Sequence, residues 1–229
     1  MEITESQPIG LGVEALPPMV PMDQKTYRYL KNMIFEYKLV PGQKLQAQDL
    51  ADRIGVSRTP VKNALNLLER EGFVRLIPYK GFYMVELSRQ EALELFEVRA
   101  ALETLAVRKA IERFNDEAFA ELTRRKEAYE AAVEKQLTRG RFLLDRDFHL
   151  QIAVMSKNET LVKQLKQVKE LSFLKHRMEG LSQQRGFSVW REHGDIWLAI
   201  RERDVEKGVK AVEYHIRKHR DNILSVLTE

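Results

Sequence analysis

Hydrophobic positions in the first third of the chain recur at helical spacing in three short blocks. Tyr27, Leu30, Ile34 and Tyr37 stand at i, i+3, i+7 and i+10, which puts them on one face of an amphipathic helix beginning near Met22. The Pro41-Gly42 pair ends that segment with a turn. Leu50, Ala51 and Ile54 predict a second, shorter helix closed by Gly55. Ser57 is placed to cap a third, with Pro60 tolerated in its first turn. Val61, Ala64, Leu65 and Leu68 form the inner stripe of this helix, and Gly72 ends it. The period then shortens: Phe73–Ile77 and Phe82–Glu86 read as β-strands, with Pro78-Tyr79-Lys80-Gly81 as the hairpin tip between them.

Beyond Glu86 the helical period returns and persists. Ser88-Arg89-Gln90-Glu91 has the form of a capping box. It opens a long helix to about Phe114, with Leu95, Val98, Leu102 and Leu105 on one stripe. Asn115 is placed to cap a second helix running to about Thr138, which Gly140 breaks. A third covers roughly 141–156, Asn158 caps a fourth ending near Gly180, and 182–186 reads as a loop. A fifth runs to about Arg203, and Asp204 caps a sixth. The sequence thus predicts a mainly α protein. A winged helix-turn-helix over 22–86 precedes an all-helical six-helix bundle over 87–229. Residues 1–21, with Pro8, Pro17, Pro18 and Pro21 and no sustained apolar period, read as a flexible leader.

Composition narrows the function classes. None of the 229 residues is Cys, which excludes a disulfide scaffold, a Cys-based zinc finger, an iron–sulfur site and a cysteine nucleophile. Any metal must be held by His and carboxylates. Neither an apolar run long enough to span a bilayer nor a charged-then-apolar leader is present, so a soluble cytoplasmic protein is expected, with no membrane partner. The 38 Lys and Arg against 34 Asp and Glu leave a net charge of +4, too small an excess to argue nucleic-acid binding alone. Its placement says more: 22–86 holds 11 basic residues against 7 acidic ones.

Two constellations carry chemistry. In the first, Gly55 supplies the tight bend of a helix–turn–helix, and Val56 is an apolar plug between its helices. With Val61, Ala64, Leu65 and Leu68 inward, the outward face of the second helix carries Arg58, Thr59, Lys62 and Asn66. Arg58 suits a guanine edge, Thr59 a phosphate, and Lys62 either, while Lys80 at the wing tip can reach the minor groove or backbone. The bland alternative is a solvated helix face. In the second, Asp145 and His149 stand at i and i+4 on one helix face, His193 lies among Val189, Ile196, Trp197 and Ile200, and His215 and His219 sit on the last helix. One carboxylate and three imidazoles from three helices make a competent site for zinc, nickel, manganese or iron inside a bundle. Packed, hydrogen-bonded histidines are the alternative. Arg99, one turn before Glu103, reads on spacing alone as half of an intrahelical ion pair.

The stretch LADRIGVSRTPVKNALNLLEREGFVRLIPYKGF (Leu50–Phe82) resembles the DNA-binding domain of the GntR family of bacterial transcription regulators, whose pattern is close to LAxxLGVSRTPVREALxxLExxGLV. The resemblance implies that Ser57, Arg58, Thr59, Lys62, Lys80 and Gly81 contact DNA. The chain departs from the pattern at Lys62-Asn63, where Arg-Glu is usual, and at Ala47-Gln48, where Glu-Arg is usual, losing two arginines. Lys lacks the bidentate fork of Arg, which bears on operator preference. The segments Leu95–Glu103, Asp145–Glu159, Glu192–Asp204 and Ala211–Ile216 resemble the helical FCD effector domain of the FadR subgroup. That resemblance implies a divalent metal on Asp145, His149, His193 and His215, with Arg99 pointing into the effector cavity. His219 is outside the metal pattern and is read as a surface or interface residue, and His176 is unassigned. Six effector-domain helices rather than seven fit the VanR-like branch. The expectation is a homodimeric repressor, not an enzyme. It would bind a short inverted repeat of double-stranded DNA and respond to a small carboxylate. A purely structural metal, a metal-dependent hydrolase and a protein–protein adaptor are the alternatives.

Overall fold

A computed structural model describes residues 22–137, 140–174 and 183–227. The leader at 1–21 and His176 lie outside the described residues. Helix α1 (Met22–Phe35) buries Leu30, Met33 and Ile34 against α3 (Arg58–Arg70). Helix α2 (Ala47–Ile54) ends at Gly55, whose φ of 77° is left-handed and lets its N–H bond Ala51 O. Ser57 follows in extended conformation as the N-cap of α3, with no side-chain cap bond. The expected inner stripe of α3 is fully buried.

The wing is a hairpin of β2 (Val74–Ile77) and β3 (Gly81–Met84), in register from Val74↔Met84 to Ile77↔Gly81. At its tip the Lys80 N–H bonds Ile77 O, and Tyr79 and Gly81 both take positive φ. A strand absent from the sequence reading, β1 (Lys44–Leu45), pairs with the far edge of β3 to give the order β1-β3-β2. Two residues carry no alternation, so only the pairing reveals this strand.

The second domain consists of α4 (Arg89–Glu112), α5 (Asp116–Glu134), α6 (Gly140–Met155), α7 (Glu159–Leu174), α8 (Gln183–Glu202) and α9 (Val205–Val226). Four caps form as read: Ser88, Asn115, Asn158 and Asp204 each accept the backbone N–H three residues on. Helix α4 is central, packed against α6, α7, α8 and α9.

Three local expectations change. Gly140 opens α6 rather than breaking α5, which already ends at Glu134. Gln183–Gly186 belong to the first turn of α8 rather than to a loop. Gly186 is there for close approach, since a Cβ would overlap the Arg141 guanidinium. On α4 the apolar stripe faces outward in part, with Val98 50% and Leu105 40% exposed. The inner face is Ala92, Phe96, Arg99, Glu103, Ala106, Val107 and Ala110. Two charged residues occupy it because they pair with each other.

Candidate DNA-binding face and buried metal centre

Helix α3 turns Arg58, Thr59 and Lys62 outward, each exposed, one turn from the exposed N-cap Ser57. An N-cap hydroxyl with no cap bond, at the positive end of a helix dipole, is suited to a phosphate oxygen. Lys80 is exposed at the wing tip, beside Gly81. The six sequence-predicted residues therefore occupy two projecting elements of the domain. At the two departures from the pattern, Asn63, which stands where Glu is usual, donates to Asp23 at 3.0 Å, and Gln48, which stands where Arg is usual, donates to Asp52 at 2.7 Å.

In the second domain, α6 supplies Asp145 and His149, α8 supplies His193, and α9 supplies His215. All four are buried, and one donor atom from each lies within 4.8 Å of the others. The outer ring nitrogens of two of these histidines face carboxylates. His149 Nδ1 is 2.5 Å from Glu103 Oε2, and His215 Nδ1 is 2.7 Å from Glu192 Oε2. A carboxylate only accepts, so Nδ1 of His215 donates and its Nε2 keeps a lone pair toward the centre. Glu192 is itself clamped by Arg185 through contacts of 2.5 and 3.0 Å. His193 stacks on Phe148 with ring centroids 4.2 Å apart and meets Tyr129 edge-on. Asp145 places Oδ1 3.2 Å from His193 Nε2, while Oδ2 accepts from Lys169 Nζ at 3.0 Å.

The electrostatics favour ligation. Burial pushes the His193 imidazole down to about 4, against the pull of Asp145. Burial and the neighbouring His149 and His193 hold His215 well below its usual range. These two rings are thus neutral near pH 7, and each has one lone pair to offer a cation. Burial would raise the Asp145 carboxyl, but Lys169 and His149 outweigh it and keep it ionised. The buried Nε2 atoms of His149 and His193 have no hydrogen-bond partner among the described residues. Each such atom costs about 1–3 kcal/mol when left unsatisfied. A divalent cation would satisfy both, so the donor set fits the group.

Arg99 is fully buried on α4. It makes the intrahelical pair, with Nε 2.5 Å from Glu103 Oε1, and also turns Nη2 to within 3.4 Å of His215 Nε2. Its Nη1 lies 2.8 Å from His219 Nδ1. His219, read as a surface or interface residue, is half-buried, edge-on to Phe96, and accepts from Arg99 because a guanidinium can only donate. Sequence reasoning missed Lys169, Glu192 and the site role of Glu103. Lys169 had a readable signal, since it continues the buried α7 stripe of Leu161 and Leu165 at four-residue spacing.

Among the described residues no helix is long and apolar enough to cross a membrane. Residues 23–84 match the bacterial regulatory proteins of the gntR family, and residues 94–218 match the FCD domain. The Nta operon transcriptional regulator of Aminobacter aminovorans is 32% identical over 196 residues, covering 85% of this chain and 91% of the relative. The HTH-type transcriptional repressor RspR of Escherichia coli K12 is 25% identical over 221 residues, covering 93% and 94%. The solved structure of E. coli McbR/YncC superposes with a TM-score of 0.77 at 24% identity, covering 90% of this chain and 98% of that one, which speaks to the fold. The proteins of this family are transcriptional regulators rather than enzymes. With the FCD match alone spanning more than half of its length, the chain belongs to the GntR family as a DNA-binding transcriptional regulator with a helical FCD domain.

Proposed function

We propose that this regulator senses a small carboxylate at a divalent metal held by Asp145, His149, His193 and His215, and that occupancy of the site releases DNA. The observation that carries this reading is that the buried Nε2 atoms of His149 and His193 make no hydrogen bond among the described residues, although both face Asp145 Oδ1, at 3.6 and 3.2 Å. When bound, the metal supplies a Lewis-acidic centre with positions open to an oxygen ligand. Glu103 and Glu192 fix the orientation of His149 and His215, and Lys169 holds the second oxygen of Asp145. Arg99 supplies the cation for a second effector oxygen. Its Nη1 rests on His219, a neutral acceptor outside the four ligands that a carboxylate displaces readily. The burial of all four ligands favours one second reading, a purely structural metal.

On DNA, the chain acts as a homodimer, each wing domain reading one half of a short inverted repeat. The outward apolar row of Val98 and Leu105 on α4 is consistent with a second copy covering it. Ser57 and Thr59 take phosphate oxygens, Arg58 and Lys62 reach base edges, and Lys80 with Gly81 lays the wing along the backbone. Repression is the proposed sign, since two relatives, RspR and GlaR, are named transcriptional repressors.

A thermal-shift screen against small carboxylates, with and without a strong chelator, separates the two metal readings. A ligand at a hundred times its dissociation constant stabilises by about 2.7 kcal/mol. For a chain of this size that corresponds to roughly 5–10 °C. The sensor reading expects at least one acid to raise the melting temperature by this order and the chelator to abolish the rise. A structural metal gives a lower melting temperature with chelator and no response to any acid.

A further inference from the structure

Helices α6 and α7 hold the buried site and also grip the DNA-binding domain. On α6, Asp145 and His149 face the site, while Phe142 enters the hydrophobic core formed by α1, α3 and the wing, with Leu143 packed beside it. One turn along, the Arg146 guanidinium lies 5.5 Å from the Phe35 ring of α1. On α7, Lys169 reaches Asp145, and the next residue, Glu170, faces α1. Successive helical residues point about 100° apart, so one turn of α7 serves the site and the other domain at once.

Glu170 is 95% buried by its side chain and lies 3.3 Å from Lys31 Nζ and 3.4 Å from Arg146 Nη1. Lys31 also donates to Glu71 Oε2 at 2.7 Å and to Tyr27 OH at 3.0 Å, and its ammonium lies 5.1 Å from the Phe73 ring. Glu71 is the residue that closes α3. One ammonium is therefore shared between a carboxylate on α7 and a carboxylate at the end of the helix that presents Arg58, Thr59 and Lys62.

We propose that Lys31 is the joint that couples the buried site to the recognition helix, held between Glu170 and Glu71 and so sensitive to any shift of α7. The proposal rests on the metal reading of the site. Lys169 has two anions in reach, Asp145 at 3.0 Å and Glu103 at 3.8 Å, both buried with it. A change in how Asp145 is held therefore acts on Lys169, and α7 carries the change to Glu170 as a rigid element. Because the two carboxylates share one cation, a closer hold by Glu170 loosens the hold on Glu71, and the reverse. The Lys31–Glu170 pair is largely shielded from water, with side chains 18% and 5% exposed, whereas Glu71 is 35% exposed and its pair with Lys31 is the weaker, solvent-screened one.

Hydrogen exchange read by mass spectrometry on the full chain, chelated and then loaded with zinc alone, tests this. In the unmodified protein zinc should slow exchange in α6, α8 and α9, which hold the ligands. It should also change exchange by about threefold or more in α1 and the last turn of α3, which hold none. In Glu170→Gln the response of α6, α8 and α9 should persist and that of α1 and α3 should vanish. Lys31→Gln cuts the same joint from the other side and should give the same pattern, with the double variant no worse than either single one. Transmission to α1 and α3 that survives both substitutions overturns the proposal, as does a site response in the unmodified protein with none in α1 and α3. Absence of any response in α6, α8 and α9 overturns the metal reading and this proposal with it.

Discussion

Arg58→Ala severely weakens operator binding and leaves the melting temperature and metal content of the protein nearly unchanged. Arg58 is the first residue of α3 and is exposed, so truncation removes no packing. A cation at a helix N-terminus opposes the dipole, and its loss is neutral or slightly stabilising to the fold. A bidentate guanine contact is worth about 1–3 kcal/mol, and a dimer on an inverted repeat makes two. The expected loss is therefore about 30-fold to more than 10,000-fold in affinity. It is measured by fluorescence anisotropy on operator DNA at one fixed ionic strength, because every phosphate contact adds salt dependence. An Arg58→Ala protein within about threefold of the unmodified affinity would remove α3 from the recognition surface.

His149→Ala does the reverse. Elemental analysis after dialysis should give metal occupancy near zero for the variant and about one ion per protomer for the unmodified chain. The variant should also melt lower. His149 faces Glu103 at 2.5 Å and Asp145 at 3.6 Å, both buried, and its removal strips one partner from each. Leaving a buried polar group without its partner costs about 1–3 kcal/mol, and two are left here. That corresponds to a fall of roughly 4–24 °C for a chain of this size. Some operator binding remains, since no DNA-facing residue is touched. His219→Ala serves as the control: His219 bonds Arg99 rather than joining the four donors, so metal content should be retained. Full occupancy in His149→Ala would show that the ligand set is wrong.

Much of this architecture was legible because it rests on local rules. The caps at Ser88, Asn115, Asn158 and Asp204 and the left-handed Gly55 follow from short-range hydrogen bonding and were placed to the residue. The four clustered donors were legible as residues, and i,i+4 spacing explains why Asp145 and His149 share a face. What escaped depends on contacts distant in sequence. Strand β1 exists only because β3 offers it an edge. The inner face of α4 was misjudged because periodicity ranks Leu105 above Arg99, whereas a salt bridge and two imidazoles make burial of Arg99 tolerable. Glu192 sits beside His193 in sequence, yet its partner is His215 on another helix. Lys169 escaped because its partners Asp145 and Glu103 lie on other helices.

The most direct test of the central claim is an operator titration of the unmodified full-length protein at constant salt. It is run metal-loaded and chelated, each with and without the carboxylate that gives the largest thermal shift. The account predicts that the acid weakens operator binding about tenfold or more in the metal-loaded protein and has no effect on the chelated one. Operator affinity that is the same in all four conditions would contradict it.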